Sequence, residues 1–417
     1  MASHPTPGTA SANGPQRGPI AGARDVVVTH ALRTPIGRYM GTLADFSTAD
    51  LGTPVVRELL QRSGVEPGAV GTLLFGNGRQ AGGGPNVARQ IAMRGGCPES
   101  TTAMTVNMAC ASGLKSIQLA ADAIARGRTE VAIDGGAESM SGLPFFLPKM
   151  RQGYRLGHAK AVDSMYQDGF HCPLADMLMG ATAEGLAQEM GISRGEQDDF
   201  ALNSQHKSQA AREAGRFDDE LISVEVKTRK GSVQFERDEH VRDDAKIESL
   251  GKLPPVFDRE AGTVTAGNSS GITDGAAALL LMSAEEAQRR GLEVLAFVGA
   301  SAEAGVDPKR MGIGPVPAMA KLQALTGRTP GDYDLIELNE AFAAQVLACH
   351  REQELPLERV NVNGGSISLG HPIGATGARI VVTLLHELRR RGGQAGLATL
   401  CISGGMGMAT DFHRQGL

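Results

Sequence analysis

Two distant stretches of this chain repeat one order of motifs, and that repetition constrains the fold more than any other feature. Ala111-Ser-Gly leads into a long helical pattern ending at Gly127, then the strand pattern Glu130-Val-Ala-Ile-Asp, then Gly135-Gly-Ala-Glu-Ser-Met. Ala375-Thr-Gly leads into a second long helix ending at Gly392, then Leu397-Ala-Thr-Leu-Cys, then Gly404-Gly-Met. The same order twice predicts a duplicated α/β unit whose site lies where the halves meet. Around these segments, short apolar runs alternate with helical periods: Val26-Val-Val-Thr-His, a helix from Thr48 to Arg62, Thr72-Leu-Leu-Phe-Gly, and a helix from Asn86 to Arg94. That alternation is the pattern of α/β layers.

The rhythm breaks near Ser141. From there to about Ser270 come prolines, the charged cluster Arg237-Asp-Glu-His and a polar helix over Ser193 to Ala214. About 130 residues between consecutive strands reads as an excursion over the α/β body. The expected division is therefore a tail at 1–24, one half formed by 25–141 with 271–293, a loop domain at 142–270, and a second half at 294–417. Residues 1–24 are rich in Pro, Gly, Ser, Thr and Ala, with two arginines and no apolar core, and predict a disordered tail rather than a leader.

With 55 glycines, no tryptophan and only 4% aromatic residues, the core must be aliphatic. A net charge of −5 without a basic block excludes nucleic acid and anionic membranes as expected partners. No apolar run reaches the roughly 18 residues of a membrane helix. The five cysteines, Cys97, Cys110, Cys172, Cys349 and Cys401, fit neither a disulfide framework nor a metal site, so reduced thiols in a cytoplasmic setting are expected.

Three residues stand out chemically. Cys110, in Asn107-Met-Ala-Cys-Ala-Ser-Gly-Leu, is placed at a helix start, with Leu114, Ile117, Ala121 and Ile124 as the buried face behind it. The positive end of a helix lowers a thiol pKa to between about 3.5 and 7.5. The bland alternative is a small buried cysteine filling space. His371 sits in a glycine-dense turn before a helix from Ala375 to Arg390, where an exposed backbone would present it as a proton acceptor. A merely structural loop histidine is the alternative, and Gly-x-x-x-Gly-x-x-Gly fits neither nucleotide-binding pattern. Cys401 ends a strand and runs into Ser403-Gly-Gly-Met-Gly, where glycines allow a backbone amide close to a ligand. Asn339, in Asn-Glu-Ala-Phe, reads either as a helix N-cap or as a water-binding amide.

On these motifs, together with Thr265-Ala-Gly-Asn-Ser-Ser-Gly-Ile-Thr-Asp-Gly-Ala, the chain resembles the thiolase family from about Asp25 to its C-terminus. The resemblance implies a duplicated five-layer α-β-α-β-α body and an acyltransferase that condenses two acetyl-CoA to acetoacetyl-CoA, or reverses that reaction. It further implies that Cys110 is acylated, His371 takes its proton and Cys401 handles the α-proton. Asn339, through a water, and His371 would form one oxyanion hole, and the N–H groups of Cys110 and Ser403 the other. Arg242 and Ser249 would lie near the CoA nucleotide, Ser270 on the pantetheine, and Met179, Ala341 and Phe342 along the channel. CoA thioesters would be substrates, with no permanent cofactor and no metal, in a homodimer or homotetramer of fatty acid metabolism. Leu178 stands where acetoacetyl-specific relatives carry histidine, so a broader 3-ketoacyl-CoA preference is the runner-up.

Other readings are weaker. Ketoacyl synthases share the fold and a cysteine nucleophile but pair it with two histidines, or with a histidine and an asparagine, which Cys401 disfavours. Gly76-Asn-Gly-Arg-Gln-Ala follows a strand as a dinucleotide loop would, yet no helix opens there and no suitably placed acid follows. An inactive thiolase-like binding protein would have no reason to keep all three proton-handling residues.

Overall fold

A computed structural model describes residues 24–415. The expected tail lies outside the described residues except for Arg24, which donates to Glu130 at 2.6 Å. One large sheet organises the chain. Its strands are β1 (Val26–Arg33), β2 (Val70–Gly76), β3 (Thr102–Val106), β4 (Val131–Glu138), β5 (Thr273–Ser283), β6 (Ala296–Gly305), β7 (Leu335–Leu338), β8 (Ala395–Ile402) and β9 (Met406–His413). Their spatial order is β7-β8-β9-β6-β1-β5-β4-β2-β3, with the two-residue strand Gly37–Arg38 paired to β5.

Apart from the edge strand β3, which has no counterpart, the order runs symmetrically outward from the centre, where β1 and β6 meet antiparallel at Val27–Phe297 and Val28–Ala296. On one side β1, β5 and β4 are antiparallel and β2 is parallel to β4. On the other, β6, β9 and β8 are antiparallel and β7 is parallel to β8. The sequence echo is thus one topology built twice. The links differ: residues 403–405 join β8 to β9, whereas residues 139–272 join β4 to β5.

Helices α1 (Thr48–Ser63), α2 (Val87–Gly95), α3 (Ser112–Ala125), α4 (Met179–Met190), α5 (Arg194–Glu213), α6 (Pro315–Thr326), α7 (Ala343–Gln353) and α8 (Ile373–Arg391) complete the body, with short turns between them. Every residue of α8 from Ile373 to Leu388 is buried, Arg379, His386 and Glu387 included, so the helix belongs to an inner layer. It packs on α3 at backbone contact. A Cβ on Gly113 would lie 2.6 Å from Ala378 N, and one on Gly377 would lie 2.3 Å from Leu114 N. The buried face of α3 uses Ala120 rather than the expected Ala121. This crossing sets the N-terminal ends of α3 and α8 side by side, and both carry reactive residues.

Candidate active site

Cys110 does not open α3 itself. It lies in a 3-10 turn, Ala109–Ala111, that feeds the helix. Ala109 before it is left-handed, with φ 47°, a strained conformation for a residue with a Cβ. Local bonds hold that strain: Ala109 N donates to Asn107 Oδ1 at 3.0 Å, the Ser112 hydroxyl to Ala109 O at 2.6 Å, and Met108 N to Ser112 Oγ at 2.9 Å. The backbone N–H groups of Ser403 and of Cys110 itself bear on the thiol and favour its anion. The expected low thiol pKa is overturned. Burial pushes the Cys110 thiol above its ordinary value, although the Arg79 charge and these two N–H groups act against burial.

His371 is buried rather than presented on an exposed turn. Its Nδ1 lies 2.6 Å from Thr376 Oγ1, and the Thr376 hydroxyl donates to Pro372 O at 3.0 Å. That hydroxyl has one proton, already given away, so Nδ1 must be the donor and Nε2 keeps a free lone pair. Burial, then the charges of Arg379 and Arg79, push the imidazole down to about 3. His371 is therefore a neutral base at physiological pH.

Cys401, the penultimate residue of β8, lies opposite Gly407 and packs with Met311 and Ala341, flanked by Met179 and Phe342. Burial raises its thiol well above the ordinary value, and the charges of Cys110 and Cys349 add to that. Gly404 and Gly405 take φ 89° and 86°, which frees Ser403 to adopt an ordinary backbone. Asn339 is not a cap. Phe342 precedes α7 and makes no side-chain capping bond. Asn339 Oδ1 accepts from the Ser366 hydroxyl at 2.6 Å, while its buried Nδ2 has no protein partner. Leu338 pairs with Thr399, so the next residue, Asn339, sits one step short of Cys401 along β8.

An apolar cavity of about 250 Å³ opens beside these groups, lined by His371, Met179, Phe342, Ser270, Leu178 and Tyr166 among others. Ser270 N donates to Ala341 O at 3.0 Å, which ties the far end of the excursion to the segment before α7. Among the described residues no group of His, Cys, Asp and Glu is placed to hold a metal ion, and no helix is long and apolar enough to cross a membrane.

Sequence and structure comparisons point one way. The family profile "Thiolase, N-terminal domain" matches residues 26–285 and "Thiolase, C-terminal domain" matches residues 292–414. The chain belongs to the thiolase family. An acetyl-CoA acetyltransferase of Cupriavidus necator is 49% identical over 392 residues, 94% of this chain and 100% of that one. One from Pseudomonas aeruginosa is 50% identical over 393 residues, again 94% and 100%. Among solved structures, the acetyl-CoA acetyltransferase of Bacillus anthracis superposes with a TM-score of 0.92 at 44% identity, covering 94% of this chain and 99% of that one. Human mitochondrial 3-ketoacyl-CoA thiolase in complex with CoA gives 0.90 at 40% identity, covering 94% and 98%.

In this thiolase the structure brings Cys110, His371, Cys401, Asn339 and Ser403 to one end of the α3–α8 pair. Arg242 and Ser249 are not in the buried cavity: both lie exposed on the excursion. Arg242 neighbours His240, whose ring occupies the space a Cβ on Gly271 would need. Several residues of the site escaped sequence reasoning. Thr376 lay inside a quoted motif, but its role needs the turn geometry. Ser366 and Glu138 had no signal of their own. Glu138 accepts from Gly78 N, Arg79 N, Gly374 N and Asn77 Nδ2, so it ties the loop after β2 to the start of α8. Its carboxyl, raised by burial to about 7, is held against protonation by the Arg79 charge and those N–H groups.

Proposed function

We propose that this thiolase catalyses the reversible condensation of two acetyl-CoA to acetoacetyl-CoA and CoA through an acetyl group on Cys110. The observation that carries the reading is the buried Cys110 thiol, on which the Ser403 and Cys110 N–H groups bear while a neutral His371 lines the adjoining cavity. His371 Nε2 takes the thiol proton and returns it to the departing CoA sulfur. The two N–H groups hold the oxyanion that forms on the thioester oxygen, a position where losing one donor costs roughly 3–4 kcal/mol of barrier.

Once the first acetyl group is in place, Cys401 takes the α-proton of the second acetyl-CoA. Asn339 Nδ2, through a water, and His371 receive the enolate oxygen. Residues 142–270 cover the CoA, with Ser270 on the pantetheine and Arg242 and Ser249 at the exposed nucleotide end. The enzyme works as a cytoplasmic homo-oligomer of fatty acid metabolism without a permanent cofactor. A broader 3-ketoacyl-CoA preference is the second reading, favoured by Leu178 lining an apolar cavity.

Incubation with acetyl-CoA followed by peptide mass analysis tests the reading. Acetyl is expected on Cys110, and Cys401→Ala should still acquire it while losing condensation and α-proton exchange. Label confined to Cys97, Cys172, Cys349 or Cys401 would overturn the assignment, and absence of any turnover by the parent would favour a binding protein.

A further inference from the structure

The loop after β2, Asn77-Gly-Arg79, carries a side chain that the mechanism above leaves unused. Arg79 is 6% exposed. Its Nη1 donates only to the neighbouring Gly78 O at 3.0 Å, its buried Nε has no partner, and it makes no ion pair among the described residues. Burying an unpaired cation is expensive, so such a group is a candidate for function. The loop touches the nucleophile's own turn. A Cβ on Gly78 would lie 3.3 Å from Ala109 O and 2.8 Å from Ile373 Cγ2, and Asn107 Nδ2 donates to Gly78 O at 3.4 Å. On its other side the guanidinium lies under Gly169, where a Cβ would come within 2.6 Å of Nε. Gly169 belongs to the π-helical turn Tyr166–Phe170, whose Tyr166 and Phe170 line the cavity. The cation therefore lies between the cavity wall and the Cys110 turn.

We propose that Arg79 is a further functional residue of this site, an unpaired buried cation that stabilises the Cys110 sulfur as it becomes anionic. The proposal rests on the acyl-cysteine reading. In acylation the Cys110 sulfur–carbon bond forms, the thioester bond to CoA breaks, and the proton passes from Cys110 through His371 to the CoA sulfur. Arg79 favours both halves of that transfer, because its charge stabilises the sulfur anion and makes His371 a poorer resting place for the proton. The other groups that bear on Cys110 are Glu138 from β4, His371 from the start of α8 and Cys401 from β8. Of these Glu138 opposes ionisation. Glu138 is the nearby counter-charge, held ionised in part by Arg79, but its oxygens are taken by three backbone N–H groups and the Asn77 amide rather than by the guanidinium, and the cation also bears on Cys110.

Alkylation of Cys110 in the full chain tests this, read peptide by peptide across pH with iodoacetamide. Arg79→Met should alkylate Cys110 at least about tenfold more slowly at neutral pH, the effect of removing a nearby opposite charge. Arg79→Lys should retain most of the parent rate. In turnover, kcat should fall with KM nearly unchanged. A second measurement needs only the parent: an unpaired cation should raise the ratio of iodoacetate to iodoacetamide reactivity at Cys110 above that of free cysteine. Superimposable parent and Arg79→Met profiles, or a parent ratio no higher than that of free cysteine, would overturn the proposal. If acetyl-CoA leaves no acetyl on Cys110, it is the acyl-cysteine reading that fails instead.

Discussion

His371 Nδ1 donates to Thr376 Oγ1 across 2.6 Å, and Thr376 passes its own proton to Pro372 O, so a single threonine selects the imidazole tautomer. Both residues lie within the first turn of α8 or just before it, which makes the lock local and rigid. Thr376→Val should leave the neutral imidazole to divide between tautomers. We expect acetylation of Cys110 to slow by about tenfold to a hundredfold, part of the 10²–10⁴ that a positioned base contributes. Thr376→Ser should restore most of it in single-turnover measurements, and a valine variant at the parent rate would show that the lock is idle.

A second local relay concerns the condensation half-reaction. Arg379 Nη2 donates to Ser366 Oγ at 3.2 Å, and arginine can only donate, so the serine proton goes to Asn339 Oδ1. This leaves Asn339 Nδ2 free as a donor. Ser366→Ala should slow condensation by about two- to tenfold, the worth of one hydrogen bond. Acetylation of Cys110 should not change, and Ser366→Thr should behave as the parent. Equal slowing of both steps would point to a general packing defect.

Asp134 in β4 is fully buried, and neither carboxylate oxygen has a partner. Burial holds its carboxyl well above the usual carboxylate range. Between the unfolded pKa near 4 and the folded one, the native state binds the extra proton, so this group makes stability fall as pH rises. The slope is about 1.4 kcal/mol per pH unit inside that window. Asp134→Asn removes the titration, and its stability relative to the parent should grow from pH 5 to pH 8 in thermal unfolding. A pH-independent difference would refute this.

Leu178 lines the cavity next to Met179 and offers no polar contact. A hydrophobic pocket discriminates by about 1–3 kcal/mol per methylene. Thiolysis of acetoacetyl-CoA and 3-ketohexanoyl-CoA should therefore proceed within roughly two orders of magnitude of each other, and Leu178→His should widen the gap toward the shorter substrate. Inactivity of the parent on the six-carbon substrate would mean that Met179 and its neighbours set the length.

The chain's local signals settled a good deal without any structure. Apolar runs such as Val26-Val-Val-Thr-His read as buried strands, and the repeated order of motifs read as a duplicated α/β unit. Cys110, His371, Cys401 and Asn339 were legible because each sits in a short motif whose chemistry depends on residue type. Arg242 and Ser249 were placed by resemblance, and their exposure follows from the excursion's outer surface. What only the tertiary structure decided are the quantities set by burial and by contacts distant in sequence. A helix start argues for an acidic thiol, but enclosure by the α3–α8 crossing reverses that sign at Cys110, because desolvation outweighs the local dipole. Arg79 looked like part of a loop after a strand. It becomes a buried, unpaired charge only when Gly169, 90 positions later, closes over it, and no local pattern encodes that contact.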